Sequence, residues 1–487
     1  MPVRHGDWGV IVLAIAVRAV AILVLQSHTV PNSTYEHGAI AANLLAGRGF
    51  SIRFLGAEGP TSQQAPLYPF LVAGAYALGG VATPRALLML QMGQAALGGM
   101  LAFVVLKLAR EVAPESPRLA WLAGVIAAGH PTLVYAATHV QAALLAATLL
   151  TATVASGFRA GRTGHGRDAV ATGMLLAALT LTDPILALAL PGVGWAVVQG
   201  QGPRRAARPV ALVAMTSALG VTPWTVRNAL VHGELVPIKS TFGYAFWQGN
   251  CAMSEGTDKV VRASVERALR RGQGGLRGVN RALWAARHEA GYLDDIALTA
   301  ADYRMLGSVP ELERSRRLFR RALDDLGAEP GRYLRLCLRR FRYFWLFDET
   351  NPKTRNALYR GSHLALTVMA ALGWLLSGPG SRWRLGPTVL TAALIATFHT
   401  CTIVSARFHI PLEPLMALWA AAGIAGVRLH LPGPAVVQPR RQTTSKPSGS
   451  TTGSPKVTRT SSRGGPPEPR GDQEGRTTPV IRTLVNG

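Results

Sequence analysis

Acidic side chains are scarce in this chain. It has 26 Asp and Glu against 51 Lys and Arg, and charged residues of every kind make up only 16% of it. A soluble protein usually carries about 25%, so the shortage argues against an ordinary soluble domain. Cysteine is nearly absent. Cys251, Cys337 and Cys401 form no CxxC or other metal-ligand spacing, which removes zinc-ribbon and thioredoxin-like chemistry. A Cys251–Cys337 bridge stays open if both face an oxidising side, and unpaired structural cysteines are the simpler reading. Nucleotide-cradling glycine loops are missing too: GRGF and QGQG are isolated glycines. No carboxylate cluster demands a metal, so neither a metal nor another cofactor is expected.

What the chain has instead is apolar runs, with 48% of its residues hydrophobic. Residues 8–26, WGVIVLAIAVRAVAILVLQ, are long enough for one ~30 Å crossing. They are also too long for a signal-peptide core, so a retained span is expected. Arg18 in its middle is costly in lipid and should face other helices. Further candidate spans are 85–106, 119–136, 140–157, 168–182, 183–199, 209–226, 357–377, 386–404 and 408–427. The fold class that follows is an all-α polytopic membrane protein. The net charge of +25 then reads as topology signal and affinity for anionic headgroups of the bilayer, not as a nucleic-acid footprint.

Basic residues in short loops set the expected orientation. Lys107, Arg110 and Arg118 mark one loop, Arg159, Arg162 and Arg167 the next, then Arg204, Arg205 and Arg208, then Arg382 and Arg384. Alternating the spans from a cytoplasmic N-terminus puts all four inside. Residues 66–82 must then be a juxtamembrane helix or shallow hairpin, with Pro66 and Pro69 near its start. Two long segments, 27–84 and 227–356, fall outside. Within the second, 258–289 and 311–346 have helical character, and RYLRLCLRRFRYFWLF (332–347) suits a helix on the membrane surface or packed on the bundle. Residues 431–487, rich in Pro, Ser, Thr, Gly and Arg, lack the apolar surface needed to fold and read as a disordered cytoplasmic tail. Residues 1–430 form the membrane domain.

The polar clusters of interest, 32–64, His139/Gln141 and 222–250, all lie on the expected outer side. Their co-location beside lipid suits a substrate that is half lipid. Ser33-x-x-Glu36 fits a capping box, which would make Glu36 a helix-start residue; alternatively Glu36 is a general base. Glu36, Ile40, Asn43 and Gly47 share a helical face, so Asn43 would sit on the same rim. His37 is either an interfacial residue or a substrate contact. In TPWTVRNALVHGELVPIKSTFGYAFWQGN, Trp224 suits an interface anchor. Arg227 suits a headgroup or a substrate phosphate. Lys239 follows, and Tyr244, Trp247 and Asn250 offer the aromatic faces and amide that suit a sugar.

Several segments, in order, resemble one known family: EHGAIAANLLAGRGFS (36–51), PTSQQAPLYP (60–69), PWTVRNALVHGELVPI (223–238), GYAFWQGN (243–250), EPGRYLRLCLRRFRYFW (329–345) and ARFHIPLEPLMALWAAAGI (406–424). The chain resembles the GT-C superfamily of membrane glycosyltransferases. It is most like the dolichyl-phosphate-mannose protein mannosyltransferase-like group of bacterial lipid-phosphosugar transferases. The resemblance covers about 8–430. It implies a GT-C-like bundle of about 10–11 spans with juxtamembrane helices in its external loops, and transfer of a sugar from a polyprenyl-phosphate donor to a hydroxyl of a protein, lipid or glycan. Transfer would occur on the extracytoplasmic face, usually with inversion. It also implies an acid in the first external loop as base, Arg227 and Arg407 as phosphate ligands, and Tyr68, Trp247 and Asn250 near the sugar. Three departures stand out. Asn32-Ser33-Thr34 replaces an expected Asp, Gln141 stands where a second acid often sits, and Gln64 replaces a Lys of some relatives. His37, His139 and His409 are the groups available to compensate. The alternatives are a degenerate relative that binds lipid-linked sugar or scaffolds an envelope complex, and a secondary transporter, which would need symmetric halves that the sequence does not have.

Overall fold

A computed structural model describes residues 4–260, 275–289 and 292–426. The expected tail, 431–487, and part of 258–289 lie outside the described residues. The described chain is almost entirely helical. Its one sheet is a two-stranded hairpin pairing Ser51–Phe54 antiparallel with Ala57–Pro60.

Helix starts follow a repeated local rule. Thr83, Ser116 and Asp183 each precede a proline. Each accepts a hydrogen bond from a backbone N–H two or three residues on, at Ala86, Leu119 and Ile185. The side chain satisfies an orphan donor, and the proline supplies a preset φ where no N–H is needed. Glycine in the left-handed region ends Ala143–Thr163 at Gly164 and Pro203–His232 at Gly233, which leaves each helix without a Cβ penalty.

Five segments are long and apolar enough to cross a membrane: His5–Thr29, Pro84–Val112, Ala143–Thr163, Pro184–Gln201 and Pro203–His232. That is half of the expected spans. The span expected at 119–136 breaks at His130, giving Pro117–Gly129 and Pro131–Ala136. The last one shortens to Ile410–Ala425. Leu67–Gly79, at 13 residues, is too short to span at 1.5 Å per residue. All three cysteines are free, so the Cys251–Cys337 bridge does not form.

Arg18 faces inward, as its cost in lipid requires. Its guanidinium donates to Ala14 O, Ala127 O and Ala128 O at 3.0, 3.2 and 2.8 Å. Ala127 and Ala128 lie in the last turn of Pro117–Gly129, so a cation meets the negative end of a helix dipole and its orphan carbonyls together. Gly98 makes room: a Cβ there would stand 2.2 Å from Arg18 Cδ. Arg340 does the same job elsewhere. It is fully buried and donates to Thr400 O, Gly249 O and the Asn250 side chain. In Pro330–Trp345 the inward residues therefore include arginine, while Leu334, Leu338 and Phe341 form an exposed apolar stripe. The helix packs on the bundle and turns that stripe away from it.

Arg18→Ala should strand three buried carbonyl contacts. We expect a loss of about 2–4 kcal/mol, because hydrogen bonds to a charged donor in a buried site count at the high end. Thermal unfolding of detergent-solubilised protein checks this, with Arg18→Lys as the milder comparison.

Candidate active site

The expected capping box does not form. The helix carrying Glu36 starts at Tyr35, its N-cap is Thr34, and no side chain caps it. The approach is a strained turn, with φ of 52° at Asn32 and 48° at Tyr35. Left-handed backbone at non-glycine residues clusters at functional sites. Glu36 is thus released from a structural duty at the helix start and lines a cavity.

That cavity has two adjoining lobes, both narrow, with lining residues in common. Glu36, His37, His139 and Gln141 line the first, with Tyr35 and Trp284 as aromatic walls. Asp258, Lys259, Tyr292 and Lys353 line the second. Gln141, Arg287 and Arg407 belong to both. Side chains spread from residue 33 to residue 407 therefore meet in one chamber. Gln141 is 5% exposed, and neither its Oε1 nor its Nε2 has a partner. A buried amide with both ends unsatisfied calls for a ligand or an ordered water.

The chamber is electropositive. Among the described residues no carboxylate forms an ion pair with Arg287, Arg407, Lys259 or Lys353. Aromatic faces support all four: Arg287 lies over Tyr35 and Trp284 at 4.8 and 5.2 Å, Lys259 over Tyr292 at 3.9 Å, Lys353 over Tyr135 at 5.2 Å, and Arg407 over Phe408 at 5.7 Å. Ring quadrupoles hold a cation without neutralising it. Burial, and then the charges of Arg287, Arg407 and Lys259, push the Lys353 ammonium well below its ordinary value. Burial also lowers Arg407, but nearby groups, led by the Asp258 and Glu36 carboxylates, outweigh it, so its pKa ends raised. Burial and the charges of Arg407 and Lys239 take His37 down to about 3. His139, stacked on Trp284 at 4.8 Å, is held well below its usual value by burial and then by Lys353 and Arg287. Both imidazoles are neutral at physiological pH.

The same arrangement of helices occurs in solved structures. The oligosaccharyltransferase AglB of Archaeoglobus fulgidus, in complex with an inhibitory peptide and a dolichol-phosphate, superposes with a TM-score of 0.51 at 14% identity, over 87% of this chain and 50% of that one. Its apo form gives 0.51 at 13% identity, again over 87% and 50%. The chain has a GT-C fold. It spans about half the length of the archaeal enzyme. ArnT of Cupriavidus metallidurans, bound to undecaprenyl phosphate, aligns more loosely, with a TM-score of 0.39 at 16% identity over 87% of this chain and 77% of that one. No protein-family model matches the chain, and no curated protein matches it by sequence.

Within this GT-C fold, other sequence-nominated residues lie away from the chamber lining. Asn43 donates to Ser51 O at 2.8 Å and accepts from Arg48, fixing the helix to the hairpin and not the rim beside Glu36. The Arg227 guanidinium is committed to Thr61 O, Ser62 Oγ, the Asn228 side chain and Phe50 O. It stacks over Phe50 and Trp224, so it clamps the 50–62 loop and has few donors left for a phosphate. Trp247 is fully buried in an apolar cluster with Leu55 and Leu318. Asn250 binds Phe246 O, Thr402 O and Arg340. Tyr244 packs edge-on against Phe54 and accepts from Gln248. Tyr68 stands directly behind His37, with ring centroids 4.9 Å apart, and donates to Gln94. Lys239 reaches Gln64 at 3.5 Å and is close enough to Glu36 and Arg407 to feel both. His409 packs against Glu413 inside the bundle. Arg287, Lys259, Lys353 and Asp258 were not singled out from sequence, because a lone cation in an arginine-rich segment carries no distinguishing pattern.

Unfolded histidines titrate near 6.5, whereas folded His37 and His139 resist protonation. Lowering pH from 7 to 5 therefore protonates the unfolded chain preferentially and removes up to about 2 kcal/mol of stability per histidine. Unfolding midpoints against pH should fall over that window, and His37→Asn with His139→Asn should flatten the slope.

Proposed function

We propose that this chain is a membrane glycosyltransferase that takes a sugar from a polyprenyl-phosphate-linked donor and gives it to a hydroxyl acceptor on the extracytoplasmic face. The observation that carries this reading is the chamber itself: two carboxylates, Glu36 and Asp258, among four basic side chains, Arg287, Arg407, Lys259 and Lys353, that form no ion pair among the described residues. The phosphate of a lipid carrier is the anion that suits such cations beside a bilayer. The likeness to an archaeal enzyme solved with dolichol-phosphate supports the same donor class.

In this mechanism Glu36 accepts the proton of the acceptor hydroxyl as its oxygen attacks the anomeric carbon. A new glycosidic C–O bond forms on one face, and the anomeric C–O bond to phosphate breaks on the other, so the product is inverted. The leaving lipid phosphate gains negative charge. Arg407, Arg287, Lys259 and Lys353 stabilise that charge in a site where few other dipoles need to reorganise. Gln141 positions the sugar through hydrogen bonds, and the neutral imidazoles of His37 and His139 line the sugar side. A second reading, a relative that binds donor without turnover, is favoured by the non-ionising Gln141 where a second acid is expected.

Purified protein in nanodiscs, given a panel of labelled polyprenyl-phosphosugars and membrane acceptors, separates the two. Glu36→Gln should cut transfer by roughly 10²–10⁴-fold while polyprenyl phosphate binding survives. Arg407→Ala should weaken that binding at least tenfold, about 1.4 kcal/mol. Donor binding without transfer by wild type supports the inactive relative, and wild-type transfer by Glu36→Gln removes Glu36 from the chemistry.

Because burial and neighbouring cations depress Lys353 and a bound anion raises it, polyprenyl phosphate should bind less tightly as pH rises and the free ammonium loses its proton first. Binding affinity measured against pH checks this, and Lys353→Met should flatten the dependence.

A further inference from the structure

A second polar cluster lies in the bundle interior, away from the chamber, and the proposed transfer reaction makes no use of it. His130 follows Pro117–Gly129, His363 lies in Ala357–Leu376, and Glu413 opens Glu413–Ala425, with His409 one turn before it. All four are buried, and the most accessible, His130, is 6% exposed. His130 Nε2 stands 3.6 Å from Glu413 Oε2. His363 Nδ1 and His409 Nδ1 stand 3.4 and 3.1 Å from Glu413 Oε1. The ligating atoms of His130, His363 and Glu413 all fall within 4.8 Å of one another.

Two of these spacings, 3.6 Å for His130 and 3.4 Å for His363, are longer than ordinary N–H···O hydrogen bonds. Charge-assisted bonds run at about 2.7–2.9 Å. Here both Glu413 oxygens, His130 Nε2, both His363 nitrogens and His409 Nδ1 lack a hydrogen-bond partner. So many unsatisfied polar atoms converging on one buried spot are expensive unless something completes them. A tetrahedral zinc ion with bonds of about 2.0–2.2 Å sets its donor atoms roughly 3.3–3.6 Å apart, close to the spacings found. Imidazole and carboxylate donors suit Zn2+ and its neighbours and not Mg2+ or Ca2+. The outer nitrogen of His409, Nε2, lies 3.2 Å from the Tyr359 hydroxyl, which also donates to Ala406 O. That outer contact leaves its Nδ1 facing Glu413, and such second contacts orient the ligands of a metal. The backbone lets the ligands meet. Ala357–Leu376 and Glu413–Ala425 touch at Gly373, where a Cβ would lie 2.0 Å from Trp419 O.

We propose that His130, His363 and Glu413 form a buried divalent transition-metal site of the zinc class, with His409 held against Glu413 beside it. The ion ties three helices together beneath the transfer chamber. It revises the expectation, drawn from sequence, that the chain carries no metal.

The test uses the full chain, purified without a polyhistidine tag and dialysed against metal-free buffer. Elemental analysis should find about one zinc per chain. Stripping with a strong chelator should lower the unfolding temperature, and Zn2+ should restore it. Replacement with Co2+ should give the visible bands of a tetrahedral cobalt centre. His130→Asn and His363→Asn, which keep the side-chain volume close, should lose the cobalt bands and most of the bound zinc. Glu413→Gln serves as a further variant if it folds. Folded wild type that binds no zinc and shows no zinc-dependent shift overturns the site, as does cobalt binding that survives both histidine substitutions. Neither result bears on the transferase reading, which is tested by donor binding and Glu36.

Discussion

A buried cation must find negative charge or electron density somewhere, and this chain is short of carboxylates. That constraint sorts its buried basic residues into two kinds. Arg18, Arg227 and Arg340 are satisfied by main-chain carbonyls, mostly at helix ends and in loops. They are rivets, with their donors spent inside the fold. Arg227 and Arg340 lie over rings as well, but Arg287, Lys259, Lys353 and Arg407 have ring support with no such carbonyl bonds among the described residues, and they line the chamber. A ring steadies a cation but leaves its charge available. The carbonyl-bound group holds the fold, and the ring-supported group keeps its charge uncommitted.

This distinction explains what could be seen in the sequence and what could not. Hydrophobic length marked the helices well, because a crossing segment needs many apolar residues in a row. Its limits show at 119–136, where a single His130-Pro131 step breaks the run into two helices although apolar residues continue on both sides. Glu36 was legible because acids are few and it follows an apolar span. Whether it capped its helix was not legible: a capping box and a free acid read the same, and only the left-handed backbone at Asn32 and Tyr35 separates them. Arg227 and Lys353 look alike in a list of residues. Their roles differ only through what surrounds each, carbonyls of the 50–62 loop in one case and the Tyr135 face in the other. Trp247 and Asn250 were attractive as sugar contacts because of their chemistry, yet that chemistry is consumed by packing and by Arg340.

The scarcity of acid also bears on how the chamber is tuned. Glu36, Asp183 and Asp258 all act on Arg407 at a distance without forming ion pairs with it. Their effect is a field and not a bond, so Arg407 stays charged but uncommitted. A carboxylate at position 141 would have drawn one of the cations into a closed pair. Gln141, with both ends of its amide open, keeps the cations separate. The replacement that weakens the case for a second acid therefore strengthens the case for a chamber built to receive an anion.

One short segment connects the two polar centres. Val404 is tied to Gly256 and pairs with Thr257, which fixes the height at which Arg407 enters the chamber. Two residues later His409 points the other way, toward Glu413 in the bundle. Tyr359 holds both halves, donating to Ala406 O on the chamber side and meeting His409 on the bundle side. A rigid centre at Glu413 would hold this segment from below, leaving Arg407 little freedom to drift from its place among the other cations. Positioning of a charge to within a fraction of an ångström is what electrostatic stabilisation requires, and a segment anchored at Val404 and Glu413 supplies it without using any group of the chamber itself.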